Sequence, residues 1–235
     1  VVGSTEHRSL AAEAVRRSAV LLKNEGALPL RAGTKSIEVA GRAADDIGLQ
    51  CGGWTVGWQG GVGQTTEGTT LLDGLRGPSL HQIEFDPLGD FSSPDRPDIG
   101  IVCIAEPPYA EGPGDRATPT ASEEDLAVFT SMRQRAEFLV LVVYSGRPLV
   151  IPDLIDQADA VVAAWLPGSE GAALGELLWG LRPFAARTTQ PWPRSLEALT
   201  DPTVAPLLPT GHGFRLDSNP AVQEPAVAQP EQEHE

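Results

Sequence analysis

The sequence predicts an α/β fold, a three-layer α/β/α sandwich around a mostly parallel sheet of about six strands. Three observations predict it. Short apolar runs of strand length recur along the 235 residues. Stretches with helical spacing or helix caps separate them. Two of the runs, "IGIVCIAE" (99–106) and "FLVLVVYSG" (138–146), are apolar almost throughout, as strands covered on both faces must be.

The elements follow in order. Residues 5–23, "TEHRSLAAEAVRRSAVLLK", read as one helix with Leu10, Ala11, Ala14, Val15, Leu21 and Leu22 on one face. "SIEVAG" (36–41) reads as a short strand ending in glycine. "TTLLDGLRG" (69–77) is a short helix opened by threonine and closed by glycine. "LHQIEFD" (80–86) and "IGIVCIAE" are strands. "SEEDLAVFTSMRQRA" (122–136) is a helix, because Ser122 and the acidic residues after it suit an N-terminus. "FLVLVVYSG" is the clearest strand, "ADAVVAAWLPG" (158–168) another, and "SEGAALGELLWG" (169–180) a closing helix. Residues 188–214 are Pro-rich and irregular. One folded unit is expected over 1–216. The Pro/Glu/Gln-rich residues 217–235 have no apolar period and read as a disordered acidic tail.

Composition narrows the function. Hydrophobic residues make up 41 %, enough for a core. The longest apolar run has strand length, so no membrane span is expected. The net charge of −15 argues against nucleic acid, which needs a basic face. The two cysteines, Cys51 and Cys103, lie in no CxxC; a disulfide between them is open, and Cys103 reads as a buried small hydrophobe. The four histidines are scattered, so no metal site is expected. "GRAADD" lacks both GxGxxG and GxxxxGK[ST], which disfavours nucleotide binding. Ser145 and Ser169 lack a GxSxG setting, which disfavours a serine hydrolase. No cofactor is expected. The chain begins with Val, which reads as a segment of a longer protein with any export signal upstream.

Parallel sheets bind ligands beyond the C-terminal ends of their strands. That rule selects four loops: "GRAADDIGLQCGGWTVGWQGG", "EPPYAEGPGDR", "SGRP" and "LPGSEG". The first carries Trp54 and Trp58 among glycines, and the second carries Glu106, Glu111 and Asp115 around Tyr109. Carboxylates beside indoles suit carbohydrate. A sugar ring has a C–H face that stacks on an aromatic plane, and glycosidic cleavage needs a carboxyl acid/base and a second carboxyl. Bland readings stand beside this one. Surface loops in an acidic chain are often acidic, and indoles in glycine-rich loops also plug domain interfaces. "SGRP" and "PGSEG" read as turns, and Glu170 as a residue that favours a helix dipole.

Several ordered motifs resemble a known family. "HRSLAAEAVRRSAVLLKNEGALPL", "AGRAADDIGLQCGGWTVGWQG", "GQTTEGTTLLDGL", "EPPYAEGPGD", "SGRPLV", "AWLPGSEG", "PWPRS" and "PTGHGF" resemble the second domain of glycoside hydrolase family 3, in its β-glucosidase and exo-β-glucan glucohydrolase branch. The resemblance covers about residues 3 to 214. It implies a six-stranded α/β sandwich packed against a preceding (β/α) barrel, with the pocket between them. By the resemblance the barrel supplies the Asp nucleophile, Glu111 of "YAEGPGD" is the acid/base, and the loop of Trp58, with Trp54 beside it, clamps the next sugar; Gln59 and Tyr109 are further candidate substrate-binding residues. The implied partners are that barrel and a β-glucoside or β-glucan oligosaccharide, in an exported protein by family habit. The implied reaction is retaining exo-hydrolysis releasing glucose, with this chain alone inactive because no residue here matches the nucleophile. The departures are "RATPTASEED" after Asp115, "LWGLRP" after the late helix and "ARTTQPWPRS" before the last motifs. The alternative is a non-catalytic β-glucan-binding or interaction module.

Overall fold

The structure is a computed structural model that describes residues 2–31, 33–34, 36–77 and 82–218. The expected disordered tail therefore lies, beyond residue 218, outside the described residues. Within them a six-stranded sheet runs through the middle of the molecule. Its strands are β1 (Val20–Asn24), β2 (Ile37–Ala40), β3 (Ile83–Asp86), β4 (Ile99–Ala105), β5 (Phe138–Tyr144) and β6 (Ala160–Trp165), in the order β1-β6-β5-β4-β2-β3. All neighbours are parallel except β1 and β6. The helices are α1 (Thr5–Ser18), α2 (Ile47–Cys51), α3 (Leu71–Arg76), α4 (Glu123–Arg135), α5 (Pro152–Gln157) and α6 (Ala172–Leu178).

Alternation along the buried strands divides the interior into two layers. Ile101, Cys103, Val140, Val142 and Val162 face α3 and α6, whereas Val102, Ile104, Leu141, Val143 and Val161 face α4 and α5. The central strands β4, β5 and β6 are apolar on both sides because each side has helices to cover it. Local chemistry sets the helix starts. The Ser122 hydroxyl accepts from Asp125 N at 3.1 Å to begin α4. Thr70 and Asp73 form a reciprocal capping box on α3, with bonds of 3.1 and 2.8 Å.

One element differs from the sequence reading. Residues 5–23 are not a single helix. The helix stops at Ser18, Ala19 is extended, and residues 20–24 pair antiparallel with β6 as an edge strand. Ala19, Val20, Leu21 and Leu22 are all buried, with Val20 and Leu22 in one layer and Leu21 in the other. A helix buries only a stripe, so four consecutive buried apolar residues suit a strand between two layers. The predicted helix face is also displaced, since Leu10 is 71 % exposed and Val15 is the buried residue of α1.

The topology fixes where a cleft can form. β2 and β4 lie side by side. The chain leaving β2 crosses to α3 on one layer, and the chain leaving β4 crosses to α4 on the other. Adjacent strands whose connections part to opposite faces leave a crevice beyond their C-terminal ends. The aromatic loop and the acidic loop are the two connections that part there.

Candidate functional site

A cleft of about 360 Å³ sits at that crevice. Its lining comes from all four loops: Gly52, Gly53 and Trp54 after β2, residues 106–111 with Gly114 and Asp115 after β4, Gly146 and Arg147 after β5, and Leu166 after β6. Order along the chain does not bring these segments together; parallel strands of the observed order do.

The aromatic loop is clamped at its base and free at its tip. The Asp46 carboxylate accepts from Leu49 N at 2.9 Å, which starts α2, and from Gly63 N at 2.9 Å, which closes the loop. Gln50 is fully buried. Its amide nitrogen donates to Thr69 O at 3.1 Å and Gly168 O at 3.0 Å, and its oxygen accepts from Leu71 N at 3.1 Å. These bonds lock α2 to α3 and to the loop after β6. Beyond the clamp, Trp54 and Val56 adopt φ values of 61° and 60°, a region that costs about 1 kcal/mol or more for residues with a Cβ. Trp54 is 70 % exposed and Trp58 56 %. Their rings meet edge to face, with centroids 6.2 Å apart and planes at 69°. The Trp54 N–H donates to Trp58 O at 2.9 Å, which holds the two indoles in one turn.

The acidic loop lies directly against this one. A Cβ on Gly53 would come within 1.8 Å of Tyr109 O, so only glycine permits the approach. Gln59 spans the gap, with its side-chain oxygen accepting from Ala110 N at 2.9 Å. Within the acidic loop the carboxylates differ. The Glu106 side chain is 1 % exposed and pairs with Arg147 and, at 3.5 Å, with Arg116. Glu111 is exposed on the turn beyond Tyr109, and no hydrogen bond or ion pair ties its side chain to another described residue. Burial first, and the Glu106 charge second, push the Tyr109 phenol up, so it stays a protonated O–H at neutral pH. Burial pulls the Arg147 guanidinium down, but its bond to Glu106 outweighs that and leaves it firmly cationic.

The structure brings Trp54, Tyr109 and Glu111 to the cleft, with Trp58 packed on Trp54 beside it. Gln59 does not line the cleft; its oxygen is engaged with Ala110 and its amide nitrogen is buried without a partner among the described residues. Three cleft or support residues went unread in the sequence: Arg147, Leu166 and Gln50. "SGRP" read as a turn, yet an arginine just after the clearest strand was a signal, because that position faces the C-terminal edge. Glu170 does more than favour a helix, since it accepts from Ser169 Oγ at 3.0 Å and pairs with Arg8 at 3.2 Å. Cys51 and Cys103 are both buried and unbridged, and burial raises both thiols. Among the described residues no group of three or more His, Cys, Asp or Glu side chains is placed to hold a metal ion, and no helix is long and apolar enough to cross a membrane.

Comparison with known proteins identifies the family and the fold. The family model of the glycosyl hydrolase family 3 C-terminal domain matches residues 19–221. The chain is 30 % identical over 194 residues to a lysosomal beta glucosidase of Dictyostelium discoideum, covering 72 % of this chain and 23 % of that protein. It is 26 % identical over 227 residues to a periplasmic beta-glucosidase of Salmonella typhimurium, covering 81 % of this chain and 29 % of that one. The crystal structure of an exo-1,3/1,4-beta-glucanase from a Pseudoalteromonas species superposes with a TM-score of 0.81 at 35 % identity, covering 91 % of this chain and 29 % of that chain. A beta-glucosidase from Listeria innocua, solved with glucose, shares the fold at a TM-score of 0.77 and 22 % identity, covering 91 % of this chain and 34 % of that chain. The chain thus spans less than a third of the curated relatives it matches. With the family model spanning most of its length and the sheet topology in agreement, the chain belongs to glycosyl hydrolase family 3, as its C-terminal domain.

Proposed function

We propose that this domain is the second half of a retaining, exo-acting β-glucosidase or β-glucan glucohydrolase. Glu111 is its acid/base. Trp54 and Trp58 hold a glucosyl ring, with Tyr109 on the opposite wall and Gln59 holding the acid loop beside them. A (β/α) barrel on the same protein contributes the nucleophile. The observation that carries this reading is the placement of Glu111, exposed and untied, on the cleft that Trp54 also lines. A proton donor must reach the glycosidic oxygen as the bond breaks, then take a proton from water in the second step. A free carboxyl at a cleft edge can do both; a buried, paired one such as Glu106 can do neither. The Tyr109 phenol, kept protonated, offers a donor to a sugar hydroxyl.

A covering partner is supported by the surface itself. Trp54, Val56, Trp58 and Val62 are all exposed on one loop, with the two indole rings in contact, and large apolar side chains left exposed together support an interaction site. Docking the barrel there would also exclude water from the cleft that Glu111 lines. The relatives named lysosomal and periplasmic support an exported or lumenal setting.

The test is Glu111→Gln in the enzyme that joins this domain to its barrel. Turnover of substrates with poor leaving groups should fall by about 10²–10⁴-fold, while activated aryl glucosides, which need little protonation, should suffer far less. Equal losses on both substrate types would remove Glu111 from the role.

A further inference from the structure

Glu111 has no side-chain tie of its own among the described residues, so its position depends on how its loop is held. One side chain from a different strand does most of the holding. Arg147 follows β5. Its Nε donates to Glu106 Oε1 at 3.0 Å and its Nη2 to the same oxygen at 2.5 Å. The same Nη2 donates to Gly114 O at 2.8 Å. The guanidinium carbon lies 4.6 Å from the centroid of the Tyr109 ring. These contacts fall at the start, the middle and the far end of the segment that carries Glu111.

No other described side chain ties that loop to the β5 side of the cleft in this way. Arg116 also reaches Glu106, at 3.5 Å, but it closes the same loop and does not connect it to another strand. The Tyr109 ring packs directly on Gly114, where an added Cβ would lie 2.0 Å from it, so ring and loop end are held as one unit. A lysine could meet Glu106 but not reproduce the set, since an ammonium is a point charge without the flat fork that bonds two acceptors and stacks on a ring.

We propose that Arg147 is the positioning residue for the Glu111 carboxyl: it staples the acid loop to the end of β5 and thereby fixes where the proton is delivered. The proposal rests on the acid/base reading of Glu111. It assigns Arg147 no contact with the reacting atoms.

The experiment uses the complete, barrel-containing enzyme and four variants. Glu111→Gln is the reference. Arg147→Met combined with Glu106→Gln removes both charges together, so no buried carboxylate is left unpaired. Arg147→Lys keeps the charge but not the fork. The fourth adds the Arg147/Glu106 pair of changes to Glu111→Gln. Each is assayed on aryl β-glucosides of graded leaving-group ability, and hydrogen exchange is followed in residues 106–115 against residues 138–144.

The charge-neutral pair should lose about 100-fold in kcat on the poorest leaving groups and little on the best, as a misplaced acid would. Exchange should quicken in the loop and stay slow in β5. Arg147→Lys should fall between, and should carry the test alone if the paired variant does not fold. In the Glu111→Gln background the paired changes should cost little more, because they act through a carboxyl already gone. A uniform loss across leaving groups, a multiplicative loss on top of Glu111→Gln, or an unchanged loop exchange would each overturn the proposal. If Glu111→Gln shows no leaving-group dependence, the acid/base reading falls instead, and the loop exchange alone then judges the staple.

Discussion

Glu106 and Glu111 share one loop and have opposite surroundings. Glu106 ends in the interior, locked to two arginines. Glu111 stands in solvent at the cleft, paired with nothing described. The difference teaches how a short acidic segment divides labour. A buried carboxylate is tolerable only when paired, and once paired it is a structural part. The exposed one is left free for the acid/base role proposed for it. The aromatic loop repeats the division, with Asp46 and Gln50 committed at its base and Trp54 and Trp58 free at its tip.

The comparison can be broken by exchanging the roles. Glu111→Gln should have the largest functional effect, about 10²–10⁴-fold on poor leaving groups in the complete enzyme, and should leave stability within about 0.5 kcal/mol. Kinetics and thermal melts on the same preparation check both halves. Arg147→Ala should do the reverse at the loop's base. It leaves the buried Glu106 carboxylate with only the longer 3.5 Å contact to Arg116 and should cost about 3 kcal/mol of stability, read by urea titration. If Arg147→Ala proved neutral while Glu111→Gln destabilised, the division drawn here would be inverted.

Smaller effects sharpen the picture. Trp58→Ala should weaken affinity for a β-glucan oligosaccharide about tenfold, as loss of a large aromatic contact does. Calorimetry on the intact enzyme checks it, and undiminished binding would return the indoles to a purely interfacial role. Asp125 offers the mildest test. Burial, the main cause, raises its pKa. A carboxyl whose folded pKa lies above its unfolded value binds protons more tightly when folded. Its ionisation therefore weakens the fold at neutral pH, and that cost disappears as pH falls through the folded pKa toward the ordinary carboxylate range. Asp125→Asn should flatten that part of the curve of melting temperature against pH. An unchanged curve would mean the carboxyl is adequately solvated.

Much of the fold was legible because its signals are local. β4, β5 and β6 announce themselves as apolar runs, and α3 and α4 by caps within a few residues of the start. β1 was not legible. "AVLL" continues an amphipathic helix just as well as it forms an edge strand, and only the presence of β6 beside it decides. α2 and α5 are too short to show a period. In the site, Trp54, Trp58, Tyr109 and the carboxylates Glu106, Glu111 and Asp115 could be named from residue type and loop position, and only the family resemblance singled out Glu111 among them. The contact that Gln59 makes could not, because its partner, Ala110 N, comes from another loop.

By itself, then, the sequence determined the layer architecture, the edge where a cleft must form and the residue types gathered there. Those follow from periodicity, from caps and from the geometry of parallel strands. Only the tertiary structure decided which carboxylate is paired and which is free. That choice depends on an arginine reaching across from the next strand, and sequence patterns carry no record of where a long side chain ends.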